Sequence, residues 1–494
     1  YDQAWALWES EEKPSAALST FQQIISDYGK TQWADKAKDQ LPPVYLDMAE
    51  RKMKGGDLKE ALSDVDKIME AYPDSGVIGE ASRVRANLLV KLYEQAKDNG
   101  NSETAAQYFS RLVEKHADTP WTIRAVRKKL GLTPPSGEDP YTAATARGQL
   151  NDAQDQFEDF EFSKAIDTVK AVLQHSRADS DSASTALQKL PEWEYRWGLY
   201  IYGKGRKAEA RKKLKDVQQT YGFTKWSGKA DTALDNMENS PEGMTYVPEG
   251  RFLMGTAQSQ IKDLLDPHYD KSMLAGDQFM EVAKINGFAS EMPRHATSTG
   301  AFYVDKTEVT NKEYAEFVKA TGHPAPPHWE DGKYPEGEGS KPVVNVTFAD
   351  ANAYAEWAGK KLPTEEQWEK AARGVDGRLY PWGNVFDMGS CRHMKSSDAG
   401  TVSVGSHPSG ESPYGCLDMI GNALEWTSSW FKPYPGNDQE NQSYGEKMRV
   451  LKGGAWYQIE LAPIPSRAAS RYPGKPDERK LSRGFRCVKV IDQN

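Results

Sequence analysis

Apolar residues in the first half of the chain recur at offsets of 0, 4, 7 and 11, a spacing that gathers four side chains on one face of a helix. Ala17, Phe21, Ile24 and Tyr28 form the first set. Ala61, Val65, Ile68 and Tyr72 follow 44 residues later, and Ala105, Phe109, Leu112 and His116 after another 44. A fourth copy reads Ala165, Val169 and Val172, and a fifth reads Ala210, Leu214, Val217 and Tyr221. The residues behind each set repeat as well: Tyr28, Thr31, Trp33, Lys36 and Ala37 return with the same spacing as Tyr221, Thr224, Trp226, Lys229 and Ala230. Five copies of one helix-turn-helix unit account for the pattern. The small alanine lets two helices approach, the aromatic closes the first helix over the turn, and Thr31, Ser75, Thr119 and Thr224 cap the next helix. Between the third and fourth copies the run Leu132-Thr133-Pro134-Pro135-Ser136-Gly137-Glu138-Asp139-Pro140 stops helices. The pattern therefore predicts repeats over 1–132, a linker over 133–148 and further repeats over 149–238.

After Asn239-Ser240-Pro241-Glu242-Gly243 the pattern changes, and residues 244–255 alternate like a strand on either side of a turn. A second domain over 239–494 is predicted here. Thr310 with Glu313 and Thr364 with Gln367 read as capping boxes, and Thr347 with Asp350 as a weaker one. Three short helices should follow, buried through Tyr314 and Phe317, through Ala351, Tyr354 and Ala355, and through Trp368, Ala371 and Ala372. The rest is turn-rich with short strands, giving an α+β domain. The insertion from Ala257 to Glu291, with Asp263, Asp266, Asp270 and Asp277, reads as a solvated charged loop.

The helical half resembles a tetratricopeptide array of the long-repeat kind found in bacterial envelope assembly proteins, although 44 exceeds the usual period. That resemblance implies a concave surface that docks protein partners. The second half carries Pro248-x-Gly250-x-Phe252-x-Met254-Gly255, Glu308-Val309-Thr310-Asn311, Trp357-Ala358-Gly359-Lys360-Lys361-Leu362-Pro363-Thr364-Glu365, Tyr380-Pro381-Trp382-Gly383, Gly421-Asn422-Ala423-Leu424-Glu425-Trp426, Gly453-Gly454 and Gly484-Phe485-Arg486. Read in order over residues 244–490, these motifs resemble the formylglycine-generating enzyme (sulfatase-modifying factor) family. The fold expected is thus multidomain: tetratricopeptide-like all-α repeats, then an α+β domain of the C-type-lectin-like kind that the family implies.

The same resemblance bears on chemistry. Catalytic members of the family carry a copper-binding cysteine pair at positions that here read Gln458 and Pro463, and neither side chain replaces a thiolate for Cu(I). Copper is not expected. The family's calcium loop falls on Asp418, Gly421, Ala423 and Glu425, where two anionic side chains and two backbone carbonyls suit Ca²⁺ as a structural ion. The family's other calcium loop is degraded at Ser390 and Cys391, with Asp398 nearby. Trp456, Gln458, Arg467 and Arg471 border the old substrate cleft, the arginines equally readable as carboxylate binders or as structural ion-pair residues. Relatives with a non-haem iron site use a His-x-x-x-His-x-Glu pattern that is absent here; a triad of His323, His328 and Glu330 is disfavoured against scattered loop histidines. Cys487 stands at the position of a family disulfide, but its partner position is Ala355, so it reads as a buried thiol.

Composition narrows the remaining classes. A net charge of −9 argues against nucleic acid and anionic membrane surfaces, and no apolar run is long enough to span a bilayer. Three cysteines without a CxxC pair argue against zinc and against a disulfide scaffold, leaving room for one bridge, Cys391 to Cys416. The chain opens on Tyr1, as a processed or trimmed polypeptide would. The function expected is a non-catalytic scaffold in the periplasm, on the outer-membrane surface or outside the cell, binding a peptide or protein. The alternatives are an enzyme with altered metal chemistry, or a glycan-binding module that would use Trp329, Trp430 and Trp456.

Overall fold

A computed structural model describes residues 1–10, 12–116, 119–133, 141–177, 181–222, 224–268, 276–285, 287–393, 399–457 and 466–491. The chain divides into two compact units, Tyr1–Trp197 with Leu214–Asp231, and Gly198–Lys213 with Thr232–Asn494. Residues 198–213 and 232–238, which the periodicity groups with the helical half, fall in the second unit. Among the described residues no helix is long and apolar enough to cross a membrane.

The helical half opens with α1 (Asp2–Glu9) and continues as pairs: α2 (Pro14–Asp27) with α3 (Gln32–Gly55), α4 (Leu58–Ala71) with α5 (Ile78–Asp98), and α6 (Ser102–His116) with α7 (Pro120–Leu130). Beyond the break come α8 (Ala143–Glu158), α9 (Phe162–His175), α10 (Asp181–Gly203), α11 (Lys207–Thr220) and α12 (Lys225–Glu238). From α1 to α6 each helix packs on the one before it, and α8 packs on α9. The residues at offsets 0, 4 and 7 are buried in all five copies, with Ile24 the one half-buried exception. Offset 11 varies: Tyr28 is 60% exposed, whereas Tyr221 and His116 are buried, His116 sharing a hydrogen bond of 3.1 Å with Ser82.

Thr31 and Thr119 accept from the amides of Ala34 and Thr122 as predicted caps. Ser75 does not cap, because α5 starts later, with Val77 at its N-cap; the Ser75 hydroxyl is buried without a partner among the described residues. The expected linker is shorter than 133–148, since Thr142 caps α8 and the helix begins at Ala143; residues 134–140 lie outside the described set.

The second unit is built on three small sheets. The first orders β1 (Met244–Val247), β4 (Phe302–Asp305) and β9 (Val488–Val490), all antiparallel, and β2 (Gly250–Met254) pairs with β3 (His295–Thr299). The third runs β7 (Tyr472–Gly474), β6 (Arg449–Lys452), β5 (Leu424–Trp430) and β8 (Arg483–Gly484), with β5 and β8 parallel. The insertion is not a solvated loop. It forms α13 (Gln258–Leu265), α14 (Gly276–Ile285) and a 3-10 turn (Phe288–Glu291) around its own core of Ile261, Leu265, Phe279, Ala283 and Phe288, with Asp263 and Asp266 outside it. The three predicted capping boxes are all complete, opening α15 (Asn311–Thr321), α16 (Phe348–Trp357) and α17 (Glu365–Arg373). Each box satisfies amides that the helix itself leaves unpaired. The main core joins Tyr314, Phe317, Trp329, Tyr354, Trp426 and Phe485.

Candidate functional site

Strand β6 ends at the buried Lys452, and the chain then turns through Gly453 and Gly454 at φ of 90° and 78°. Both values suit glycine, and space demands it at the second position: a Cβ on Gly454 would lie 2.3 Å from Ser466 Oγ. The turn delivers Trp456 and Tyr457, half-buried and edge-to-face with ring centres 5.4 Å apart. The Trp456 amide donates to the Asn422 carbonyl at 3.1 Å, while its indole N–H is buried without a partner among the described residues. Gln458 and Pro463 lie outside the described residues.

Arg467 and Arg471 are held by the protein itself rather than presented to a ligand. Arg467 is paired with Glu291 and stacked over Phe288 at 4.1 Å. Arg471 donates to both Glu365 oxygens at 2.6 and 2.9 Å and to the Ser290 carbonyl at 2.9 Å, with Tyr434 under its guanidinium at 4.1 Å. Together they fasten the insertion to the strand that follows them. Beside them opens a cavity of about 650 Å³ lined by Gln439, Asn441, Gln442, Ser443 and Tyr444 together with Ser290 and Phe431. Its lining mixes these amides and hydroxyls with Lys284 and Glu440, groups that exchange hydrogen bonds with peptide or sugar groups.

Of the calcium positions, Glu425 has a different employment. Its two oxygens accept from Arg486 at 2.7 Å each, and Oε2 also accepts from the Trp368 indole at 2.7 Å. Both members of this pair are fully buried, a geometry that answers the cost of desolvation with charge-assisted hydrogen bonds. Asp418 accepts from the Gly405 amide through Oδ2, and its carboxyl is also hydrogen-bonded with that of the buried Glu308. Burial, and next the Asp418 charge, push the Glu308 carboxyl well above its ordinary range; burial raises Asp418 too. Asp418 and Glu308 lie against each other as a pair of buried carboxyls. Among the described residues no three His, Cys, Asp or Glu side chains gather as a metal cage. Asp398 lies outside them.

The other predicted groups separate. His323 bonds Asp350 at 3.0 Å and His328 bonds Asn345 at 3.4 Å, so the two do not converge with Glu330. All three cysteines are buried free thiols, so the bridge from Cys391 to Cys416 is absent. Burial pushes the thiols of Cys391 and Cys416 up to about 12 and about 11, and that of Cys487 well above its ordinary value, so none stands ready as a thiolate nucleophile. Trp329 belongs to the core, whereas Trp430, with Arg449 over one face at 3.4 Å, and Trp456 are both half-buried.

Two polar clusters escaped the sequence reading. Glu369 joins Arg373 at 3.0 Å and Lys452 at 2.9 Å with all three side chains fully buried. Burial alone would raise Glu369, but Lys452 and Arg373 outweigh it and hold the carboxyl below its ordinary range. Lys370 donates to the Pro248 and Gly250 carbonyls and to Thr299, and burial lowers its ammonium to about 7. Charged residues at consecutive positions of an amphipathic helix read as surface, and nothing local distinguishes these.

Residues 229–491 match the sulfatase-modifying factor enzyme 1-like domain. A formylglycine-generating enzyme from Streptomyces coelicolor is 33% identical over 280 residues, spanning 44% of this chain and 86% of that protein. The inactive C-alpha-formylglycine-generating enzyme 2 of Mus musculus is 29% identical over 297 residues, covering 50% and 85%. Hercynine oxygenase from Mycolicibacterium smegmatis is 30% identical over 283 residues, covering 49% and 60%. With its fold motifs in place over that match, the chain belongs to the sulfatase-modifying factor enzyme 1-like family, the family of the formylglycine-generating enzymes.

Proposed function

We propose that this protein is a non-catalytic binding protein in which a tetratricopeptide-like array docks a partner and the C-terminal domain receives a peptide or glycan. The observation that carries the reading is the loss of the thiol pair. Gln458 and Pro463 stand at the reactive positions, and the remaining cysteines are buried with raised thiol pKa values. The cavity lined by Gln439, Asn441, Gln442 and Tyr444 offers hydrogen-bonding groups to a peptide or glycan. A relative described as inactive shows that this family tolerates loss of the chemistry. Incubating the purified protein with a cysteine-containing peptide under oxygen tests the reading. No oxygen uptake and no aldehyde are expected; stoichiometric conversion would end it in favour of an enzyme with altered metal chemistry.

Calcium belongs to the same proposal, as a structural ion at the loop of Asp418, Gly421 and Ala423. Its support is the adjacent buried carboxyls of Asp418 and Glu308, a hard oxygen pair that would suit Ca²⁺ once ionised, while Glu425, expected as a ligand, is engaged by Arg486. A thermal melt in calcium against one in chelator should differ by several degrees, and coincident melts would remove the ion from the reading. A site of action outside the cytoplasm is consistent with such an ion and is tested by fractionating the native source.

A further inference from the structure

The five first helices of the repeats bury the same residues but differ in what they show to water. Their net charge runs from −1 in α2 and −2 in α4, through 0 in α6 and +1 in α9, to +3 in α11. In α11 five cations, Lys207, Arg211, Lys212, Lys213 and Lys215, stand against Glu209 and Asp216, within a chain of net charge −9. Packing does not call for them, because Ala210, Leu214 and Val217 supply the buried face as their counterparts do in the other copies. Intrinsic helix stability calls for only some of them: Glu209 precedes Lys213 by four and Lys212 precedes Asp216 by four, attractive spacings, whereas Lys207, Arg211 and Lys215 succeed one another at intervals of four, where like charges repel. Lys207 is matched to Glu411 at 3.6 Å, but Lys212 and Lys215 are exposed and meet no carboxylate in an ion pair among the described residues.

We infer that α11 is the recognition helix of the array and that it takes a short acidic segment, a run of Asp and Glu, from a partner protein. The inference rests on the reading of the array as the docking part of the molecule and names the chemistry of what docks. A helix of 14 residues is ~21 Å long. A short acidic segment fits within that length, whereas a nucleic-acid duplex, with a phosphate charge every ~1.7 Å, would continue past it over a chain of net negative charge.

The test is fluorescence anisotropy of a labelled oligo-glutamate peptide of about 6 residues, ~20 Å when extended, titrated with the full chain at about 50 mM and about 300 mM salt. Binding is expected at low salt and should weaken ~10-fold or more at high salt, as screening of exposed charges requires. The double substitution Lys212→Glu with Lys215→Glu should abolish it, and Lys212→Gln with Lys215→Gln should weaken it while leaving the circular dichroism and the melt of the protein unchanged. Three results would each overturn the inference: no binding, binding indifferent to both double variants, or tighter binding of duplex DNA or phosphatidylserine vesicles than of the peptide. A native partner retained by the Glu variant would overturn it while leaving the docking reading intact. The docking reading itself falls if disrupting the repeat core with Val65→Asp leaves capture of that partner unchanged.

Discussion

The two halves of the molecule solve the problem of burial in opposite ways. The helical half hides alanine and branched apolar residues at fixed spacing, and most of its ion pairs, such as Lys164 with Glu161, stay at the surface. The C-terminal half buries its charges: Glu425 with Arg486, Glu369 with Arg373 and Lys452, and Glu365 with Arg471 all sit in the interior. In the first case stability scales with apolar area and is spread along the array. In the second it depends on a few pairs, each of which leaves an uncompensated charge if one member goes.

That contrast can be broken most directly at Arg486. Replacing Arg486 by Met strands the Glu425 carboxylate and should cost ~3–5 kcal/mol in denaturant unfolding of the C-terminal unit. A cost near zero would mean that Glu425 simply takes up a proton and that the pair is dispensable. Glu369→Gln should destabilise by a similar or slightly smaller amount near neutral pH, with a diagnostic dependence on acidity. Because the folded carboxyl titrates below its unfolded value of 4.5, its contribution is present above that pH and is lost as pH falls through the folded pKa. The gap between wild type and variant should therefore close in acid. In the helical half, Val169→Ala removes two buried methyl groups and should cost ~1–2 kcal/mol, as should Val65→Ala at the equivalent position of the second copy. The exposed pair sets the lower bound: Glu161→Gln should change stability by less than ~0.5 kcal/mol. In a partner-binding assay, Glu425 and repeat-core substitutions should likewise do more harm than Gln458→Ala, and the reverse order would relocate function to the old cleft.

Legibility followed the same divide. The repeat faces at Ala61, Val65 and Ile68 and the boxes at Thr310, Thr347 and Thr364 are periodic or local, so their residues announce the element they make. Ser75 had the right chemistry and spacing yet failed, because a shift of the helix start by two residues is decided by packing. The insertion helices were hidden by their acidic residues, although Ile261 with Leu265 and Phe279 with Ala283 carry a helical spacing. Arg467, Arg471 and Glu425 were placed near the correct strands from the sequence, but their partners Glu291, Glu365 and Arg486 come from 176, 106 and 61 residues away. No local pattern encodes a pairing at that distance.

The contact between Gly454 and Ser466 has a consequence for one edge of the third sheet. Ser466 lies against Gly454 and is tied in turn to Tyr472 at 2.7 Å, so the turn that ends β6 and the segment that opens β7 are clasped to each other. A side chain at 454 would push that clasp apart, so Gly454→Ala should loosen the β6–β7 edge of the sheet even though it touches no charged group.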